Sequence, residues 1–554
     1  MSSFIPFIIL IGVLIFVHEL GHFLSGKMLG VKILTFSLGF PPRLLGKRIG
    51  ETEYVLGAIP LGGYVKFLGE DASDEVTKEE MARAFHVQPL WKRLVIVLAG
   101  PVMNLVFPVF IYFIVLSFQP EIVPAVVGMV VPGSPAEKSG LLPGDTIVEI
   151  EGKTIRGFED MIDVVGSRPG RTVTITFMRD GKRMETTATV EKATDVMEAL
   201  DLRTEVGRIG VDARTRSPMI QVLDAESAAY RAGLRTGDLV LTFGGKRIAR
   251  WSDLEKAPVK PGARIDVQLL HPREVATPLG SIFIYYPRSF ALDVPGDGGG
   301  GLVALGIDST ELFIHTVTEG SVADRIGVRP GDEVVALNDE PVRVWDQLRT
   351  TLQTYPEAYH DITLRRPDGS LLTARFRMVK RTIEDELKQK KFQYEFGALN
   401  NALYVGPELI PNPNPITRGI KGAMKETESA ISLTFIGIVR IIQGRISFKT
   451  MGGPIMIFDI AGRAARQGTG SFLRIMALIS INLGIINLAP IPMLDGGMIT
   501  LFLFEAVTRR TPGQRFRLIY QYIGLALIGL LIIFVFKNDI ERYWDNIVGF
   551  FKGA

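Results

Sequence analysis

The sequence predicts a polytopic α-helical membrane protein with four spans, a membrane-associated β-hairpin and an inserted array of three small α+β domains. Three observations predict it. Four apolar stretches, at 4–26, 94–118, 472–507 and 516–536, each reach the length of about 20 residues that a bilayer requires. A short pattern recurs three times between the second and third stretches. The run His18-Glu19-Leu20-Gly21-His22 lies inside the first apolar stretch.

Composition narrows the function classes. The 554 residues allow several domains, and the formal charge of +3 comes with acids and bases mixed along the chain. No basic block points to nucleic acid, so no nucleic-acid partner is expected. The chain has no cysteine, which excludes disulfides and thiolate ligands, so any zinc must be held by His and carboxylate. No Lys or Arg precedes Lys27 and no small-residue cleavage site follows the first apolar run. The first stretch is therefore expected to remain as a span, not to leave as a signal peptide.

Within that span, residues four apart share a helix face, so His18 and His22 can grip one ion together. Glu19 is their neighbour and can reach a water at that ion, as in zinc hydrolases. Ionisable groups at membrane depth cost roughly 2.5–3.5 kcal/mol each on insertion scales, which marks them as functional.

Between the first two spans, 31–68 alternates apolar and polar residues around Pro and Gly turns and reads as β-hairpins. It is apolar enough to dip into the membrane beside the site. Orientation follows the Lys and Arg near the span ends. Lys27, Lys32, Arg43, Lys47, Arg48, Lys66, Lys92 and Arg93 lie between the first two spans, and Arg509, Arg510, Arg515 and Arg517 between the last two. Both connections are expected in the cytoplasm. The central region and the C-terminal acids Asp539, Glu541 and Asp545 then face outside. The third stretch is interrupted by Pro490, Pro492, Gly496 and Gly497, and is expected to be partly unwound where it lines a cavity.

The central pattern begins Ser134-Pro135-Ala136, Ser227-Ala228-Ala229 and Ser321-Val322-Ala323, with spacings of 93 and 94 residues. Each copy runs through a short helix ending at glycine, a Gly-Asp turn and a strand. Spacings of this size give tandem domains, not a solenoid. The repeat resembles the PDZ domain, which implies capture of an extended peptide and its C-terminal carboxylate. Candidate carboxylate loops are Ile209-Gly210-Val211, before the second copy, and Leu305-Gly306-Ile307, before the third; Gly210 is also available to the first copy if the domains are circularly permuted. The run Gly296-Asp297-Gly298-Gly299-Gly300-Gly301 reads as a flexible linker. Ile420, Met424, Ile431, Phe435, Ile438 and Ile442 recur at helical spacing. They fit either an amphipathic helix on the outer membrane surface or a core-facing helix.

Catalytic zinc takes three protein ligands. Of the six histidines, His86, His271, His315 and His360 stand singly, without ligand spacing, and are expected in surface or packing roles. Asp495, the one acid in the broken part of the third span, is the expected third ligand, with Asp459 the rival.

At this point the chain resembles the site-2 proteases, in the branch of the bacterial regulator of sigma-E protease. The matching parts are His18-Glu19-Leu20-Gly21-His22, the run Ala99-Gly100-Pro101-Val102-Met103-Asn104, and Asn-x-x-Pro-x-Pro-x-Leu-Asp-Gly from Asn487 to Gly496. The apolar hairpin at Gly62-Gly63-Tyr64 and the inserted PDZ-like region also match. The resemblance implies a zinc-dependent intramembrane endopeptidase of the bacterial inner membrane. Its substrates would be transmembrane segments of single-pass proteins already cut by another protease, such as an anti-sigma factor or a remnant signal peptide. It implies that His18, His22 and Asp495 bind Zn2+, that Glu19 activates the water, and that Asn487 steadies the substrate or the developing oxyanion. It gives Gly62, Gly63 and Tyr64 a substrate-pairing role and the PDZ array a gating role on the periplasmic side. The expected domains are 1–121, 122–200, 201–295, 296–382, 383–470 and 471–554. A scaffold with a degenerate protease body would lack one of the four site residues, and a transporter would show an inverted repeat; neither is the case.

Overall fold

The structure is a computed structural model, and it describes residues 3–70, 76–197, 200, 202–277, 280–296, 300–384 and 390–552. The chain divides into two compact units, one of 1–120, 196–202 and 412–554, the other of 121–195 and 203–411.

The first unit is helical. Its long helices are α1 (Phe4–Met28), α2 (Leu90–Ser117), α3 (Pro415–Ile442), α4 (Pro454–Gln467), α5 (Thr469–Leu488), α6 (Asp495–Thr508) and α7 (Gln514–Lys552). Four helices are long and apolar enough to cross a membrane: α1, α2, α5 and the 515–544 part of α7. Helices α1 and α2 touch backbone to backbone, since a Cβ on Gly21 would lie 2.3 Å from the Ala99 carbonyl oxygen. Small residues allow such approach where lipid provides no hydrophobic drive. Pro101 and Pro108 lie inside α2 without ending it.

The third apolar stretch is two helices, α5 and α6, separated by a tight break at 489–494. The chain folds back over the first turn of α6, with Ile491 N–H on the Ala489 carbonyl and Gly497 N–H on the Leu494 carbonyl. A Cβ on Gly496 would lie 2.1 Å from the Ala489 oxygen, so that position must be glycine.

Strands β1 (Ile33–Ile49) and β2 (Thr52–Phe67) form the expected hairpin region, but each bends. Ser37 pairs with both Tyr64 and Val55, and Leu38 with both Gly63 and Leu56. The two strands thereby double into four segments in the order 43–49, 52–57, 33–40, 63–67. The last segment pairs on one side among the described residues and lies against α1.

Helix α3 corrects both expectations for its region. Its small residues face the protein: Gly419 and Ala423 are buried, and a Cβ on Gly419 would meet Ser117 Oγ of α2. Lower down, Thr434 Oγ1 donates to Asn482 Oδ1 of α5 at 2.8 Å. The helix thus runs along α2 and α5, with Ile420, Met424, Phe435 and Ile442 on its exposed side. Asp539 is fully buried, and its carboxylate accepts from the N–H groups of Gly453, Ile455 and Met456, capping α4. The side chain of Asp545 lies outside the described residues.

The second unit contains three apolar cores, each with a four-stranded antiparallel sheet of the same strand order. Ser134, Ser227 and Ser321 each cap the short helix that follows, accepting an N–H three residues on. Each Gly-Asp turn is closed by its aspartate: Asp145, Asp238 and Asp332 accept from Leu142, Arg235 and Arg329 N–H, each at 2.8 Å.

The cores overturn the expected domain boundaries. They gather Ala125–Ile209, Ile220–Ile307 and Ile314–Ala398, so breaks after 200, 295 and 382 would cut through packed apolar residues. The glycine loops follow their helices in the chain. A Cβ on Gly210 would lie 2.2 Å from Ser134 Cβ, on Gly306 2.2 Å from Ser227 Cβ, and on Gly397 2.1 Å from Ser321 Cβ. The carbonyls of these glycines accept from Val131, Leu223 and Thr318 N–H at 2.8, 2.9 and 2.8 Å. Gly210 therefore closes the first core and Gly306 the second, and Gly397 supplies the loop of the third. Of the glycine linker, 297–299 lies outside the described residues.

Candidate metal centre

Helix α1 carries His18, Glu19 and His22 toward α2 and the α5–α6 break. His18 Nε2 and His22 Nε2 are 3.3 Å apart. Asp495, the first residue of α6, brings Oδ2 to 3.2 Å from His18 Nε2 and Oδ1 to 3.6 Å from His22 Nε2. These donors form the one group of three or more metal-ligating side chains among the described residues. Zinc–nitrogen bonds of about 2.05 Å at a tetrahedral angle separate two donors by about 3.3 Å. The triangle fits that ion, and its donor chemistry, two imidazoles and a carboxylate with no thiolate, is a zinc set.

The surroundings prepare His22. Its Nδ1 donates to the Ile96 carbonyl at 2.8 Å, which leaves the Nε2 lone pair facing the triangle. Space for the ring comes from Gly100 of α2, where a Cβ would lie 2.3 Å from His22 Nε2. Four residues on, Asn104 meets His18, Nδ2 to Nδ1 at 3.1 Å. Spacing of four on α2 thus answers spacing of four on α1. Both positions lie in the Ala99–Asn104 run, yet spacing alone did not assign them. The signal was available, since an amide inside an apolar span needs a partner.

Glu19 is buried and interacts electrostatically with His22, His18 and Asp495. Gly63 of β2 covers it, and a Cβ there would come within 3.0 Å of Glu19 Cγ. Gly62 makes room for the Phe40 ring, and Tyr64 pairs with Ser37. Asn487, in the last turn of α5, points Nδ2 at His18 Nε2 from 3.5 Å. The rival Asp459 is elsewhere, bound by Arg463 at 2.6 Å and by the Tyr543 hydroxyl at 3.0 Å. Gly210 and Gly306 belong to the second unit.

Helix α6 is fastened below the site. Arg93 at the start of α2 meets Glu505 of α6 at 2.7 Å, and its guanidinium lies 5.0 Å from the Phe502 ring centroid.

The sequence model of peptidase family M50 matches residues 6–531. The chain belongs to that family. This M50 peptidase is similar along its whole length to proteins named as zinc metalloproteases. One, from Vibrio cholerae serotype O1, is 30% identical over 549 residues, covering 98% of each chain. Another, from Ralstonia nicotianae, is 29% identical over 559 residues, covering 98% of this chain and 99% of the relative. The solved PDZ domain of an SdrC-like protein from Listeria monocytogenes covers 16% of this chain and 82% of its own, at 24% identity and a TM-score of 0.13. Membership makes this chain a zinc metalloprotease. Bound zinc supplies Lewis acidity to a scissile carbonyl and acidifies water to a pKa of about 7.

Proposed function

We infer that this M50 protease is an intramembrane endopeptidase of the bacterial inner membrane, cutting the transmembrane segment of single-pass proteins. One observation carries the reading. His18, His22 and Asp495 converge on helices of an apolar, membrane-crossing unit, at the point where one span is broken.

The chain's own groups divide the work. His18, His22 and Asp495 hold the metal. Glu19 takes the proton of the attacking water and returns it to the leaving amine. The Asn487 amide, donating toward the same point, steadies the developing oxyanion. A peptide bond inside a helix is shielded by its own hydrogen bonds, so the substrate must unwind. The 63–67 segment, strand-paired on one side among the described residues, offers an edge on which unwound substrate adds as a strand, with Gly63 against Glu19 and Gly62 and Tyr64 on either side of it in the chain.

The three cores of the second unit are PDZ domains on the periplasmic side that gate access, admitting substrates such as a pre-cut anti-sigma factor or remnant signal peptide. Gly210 lines a cavity with Phe158, Met161 and Val165 of the helix opposite, the arrangement that peptide capture requires. Gly306 and Gly397, set against Ser227 and Ser321 as Gly210 is against Ser134, serve the second and third domains.

The test is cleavage of a single-pass model substrate by purified protein, wild type against Glu19→Gln, with bound zinc quantified in both. Cleavage by wild type alone, with zinc retained in the variant, is expected. Equal cleavage by both would remove Glu19 from the mechanism, and absence of zinc from both would remove the metal site.

A further inference from the structure

A zinc-bound imidazole needs its second nitrogen protonated and satisfied, and the two histidines here differ in how that happens. His22 has the Ile96 carbonyl, an acceptor fixed by the α2 backbone. At Nδ1, His18 meets the side chain of Asn104, at 3.1 Å. Asn104 is fully buried in an apolar span, and its Oδ1 has no hydrogen-bond partner among the described residues. A buried amide oxygen left unpaired is destabilising, so its position calls for a donor.

The Asn104 backbone is not free to wander. Its carbonyl accepts from Ser480 Oγ of α5 at 2.8 Å, and Ser480 is fully buried. The amide is therefore carried on a fixed backbone opposite the His18 ring. Its two ends have nearly the same shape, so a half-turn about the terminal bond exchanges Nδ2 for Oδ1 at 3.1 Å from Nδ1. With Oδ1 presented, Nδ1 carries the proton and donates it, and Nε2 is left unprotonated toward His22 and Asp495.

We propose that Asn104 is the positioning residue for His18, its side-chain oxygen accepting the Nδ1 proton and thereby fixing the ring orientation and tautomer that binds zinc. The inference rests on His18, His22 and Asp495 being the ligand set. Such outer partners of a metal histidine change metal affinity about 10–100-fold when removed.

The experiment measures zinc affinity of the full-length protein in detergent by competition with a chromogenic chelator. Wild type, Asn104→Leu, Asn104→Asp and His22→Ala are compared, with thermal melting of each metal-free form. Asn104→Leu keeps the volume and removes the acceptor, and it is expected to lose about 10–100-fold in affinity. Asn104→Asp restores an acceptor and is expected to stay within about threefold of wild type, since a carboxylate also serves as the partner of a metal histidine. Wild-type affinity in Asn104→Leu would overturn the proposal. Equal losses in the Leu and Asp variants would overturn it too, because a packing role does not distinguish acceptor from no acceptor. Wild-type affinity in His22→Ala would show the ligand set itself to be wrong, and the proposal would fall with it.

Discussion

Gly100 leaves the space that the His22 ring fills: a Cβ there would lie 2.3 Å from Nε2 and 2.5 Å from Cε1. Gly100→Ala should therefore push the ring from the triangle, although alanine favours helix by about 1 kcal/mol over glycine in ordinary settings. The expected result is loss of zinc at unchanged helix content, read by chelator competition and circular dichroism.

Asp495 and Asp459 are the two acids the sequence offered as third ligand, and only Asp495 reaches the histidines. Asp495→Ala should purify with markedly less zinc than wild type, while Asp459→Ala retains it. Elemental analysis of metal per protein decides, and equal zinc in the two variants would contradict the assignment.

The Arg93–Glu505 pair is mostly buried, with side chains 10% and 16% exposed. Removing one partner of a buried pair leaves an uncompensated charge and costs about 3–5 kcal/mol, whereas replacing both with apolar residues is often neutral. Glu505→Gln should lower the melting temperature, and the double variant Arg93→Met/Glu505→Met should melt above it. Because α6 begins with Asp495, the single variant should also lose zinc more readily.

Glu51 gives a pH dependence outside the spans. It accepts two bonds from Arg83, at 2.7 and 2.8 Å, and one from Lys27 at 3.2 Å. Arg83 and then Lys27 hold its carboxyl down at about 2, below the usual 4.5. A depressed folded-state pKa stabilises above the unfolded value and the benefit is lost as pH falls toward the folded value. The melting temperatures of wild type and Glu51→Gln should thus differ at pH 6 and converge as the pH falls from about 4.5 toward 2. A gap that stays constant through this range would refute the linkage.

Gly63 stands between Ser37, Ile15 and Glu19, where a Cβ would meet atoms at 2.8, 2.9 and 3.0 Å. Gly63→Val should displace β2 from Glu19 and lower cleavage of a model substrate by about 100-fold, as misplacements near 1 Å do. Zinc content should stay at the wild-type level, since the atoms nearest a Cβ at Gly63 belong to Ser37, Ile15 and Glu19 and not to the three ligands.

Much of this protein was legible in its sequence because the relevant geometry is local. A helix puts residues four apart on one face, so His18 and His22 declared a shared ion without any knowledge of their neighbours. The spans followed from length and apolarity, and Asp495 stood out as the single acid in the broken part of the third apolar stretch. The short helices and Gly-Asp turns declared themselves three times, because each is closed by hydrogen bonds within a few residues.

What the tertiary structure alone decided concerns groups whose partners are distant in the chain. Gly100 and Asn104 were visible as residues, but only the crossing of α1 and α2 gave one a ring to accommodate and the other a nitrogen to face. Arg93 read as an orientation charge at a span end until α6 brought Glu505 to it. Gly210 was open to either neighbouring repeat and Gly306 read as the loop of the third, and the packing of each onto Ser134 or Ser227 assigned it to the preceding core. Helix α3 turned its small side inward and its apolar side outward, against the rule for helices in water. Periodicity records which residues share a face, but what that face meets depends on packing and on the solvent around it.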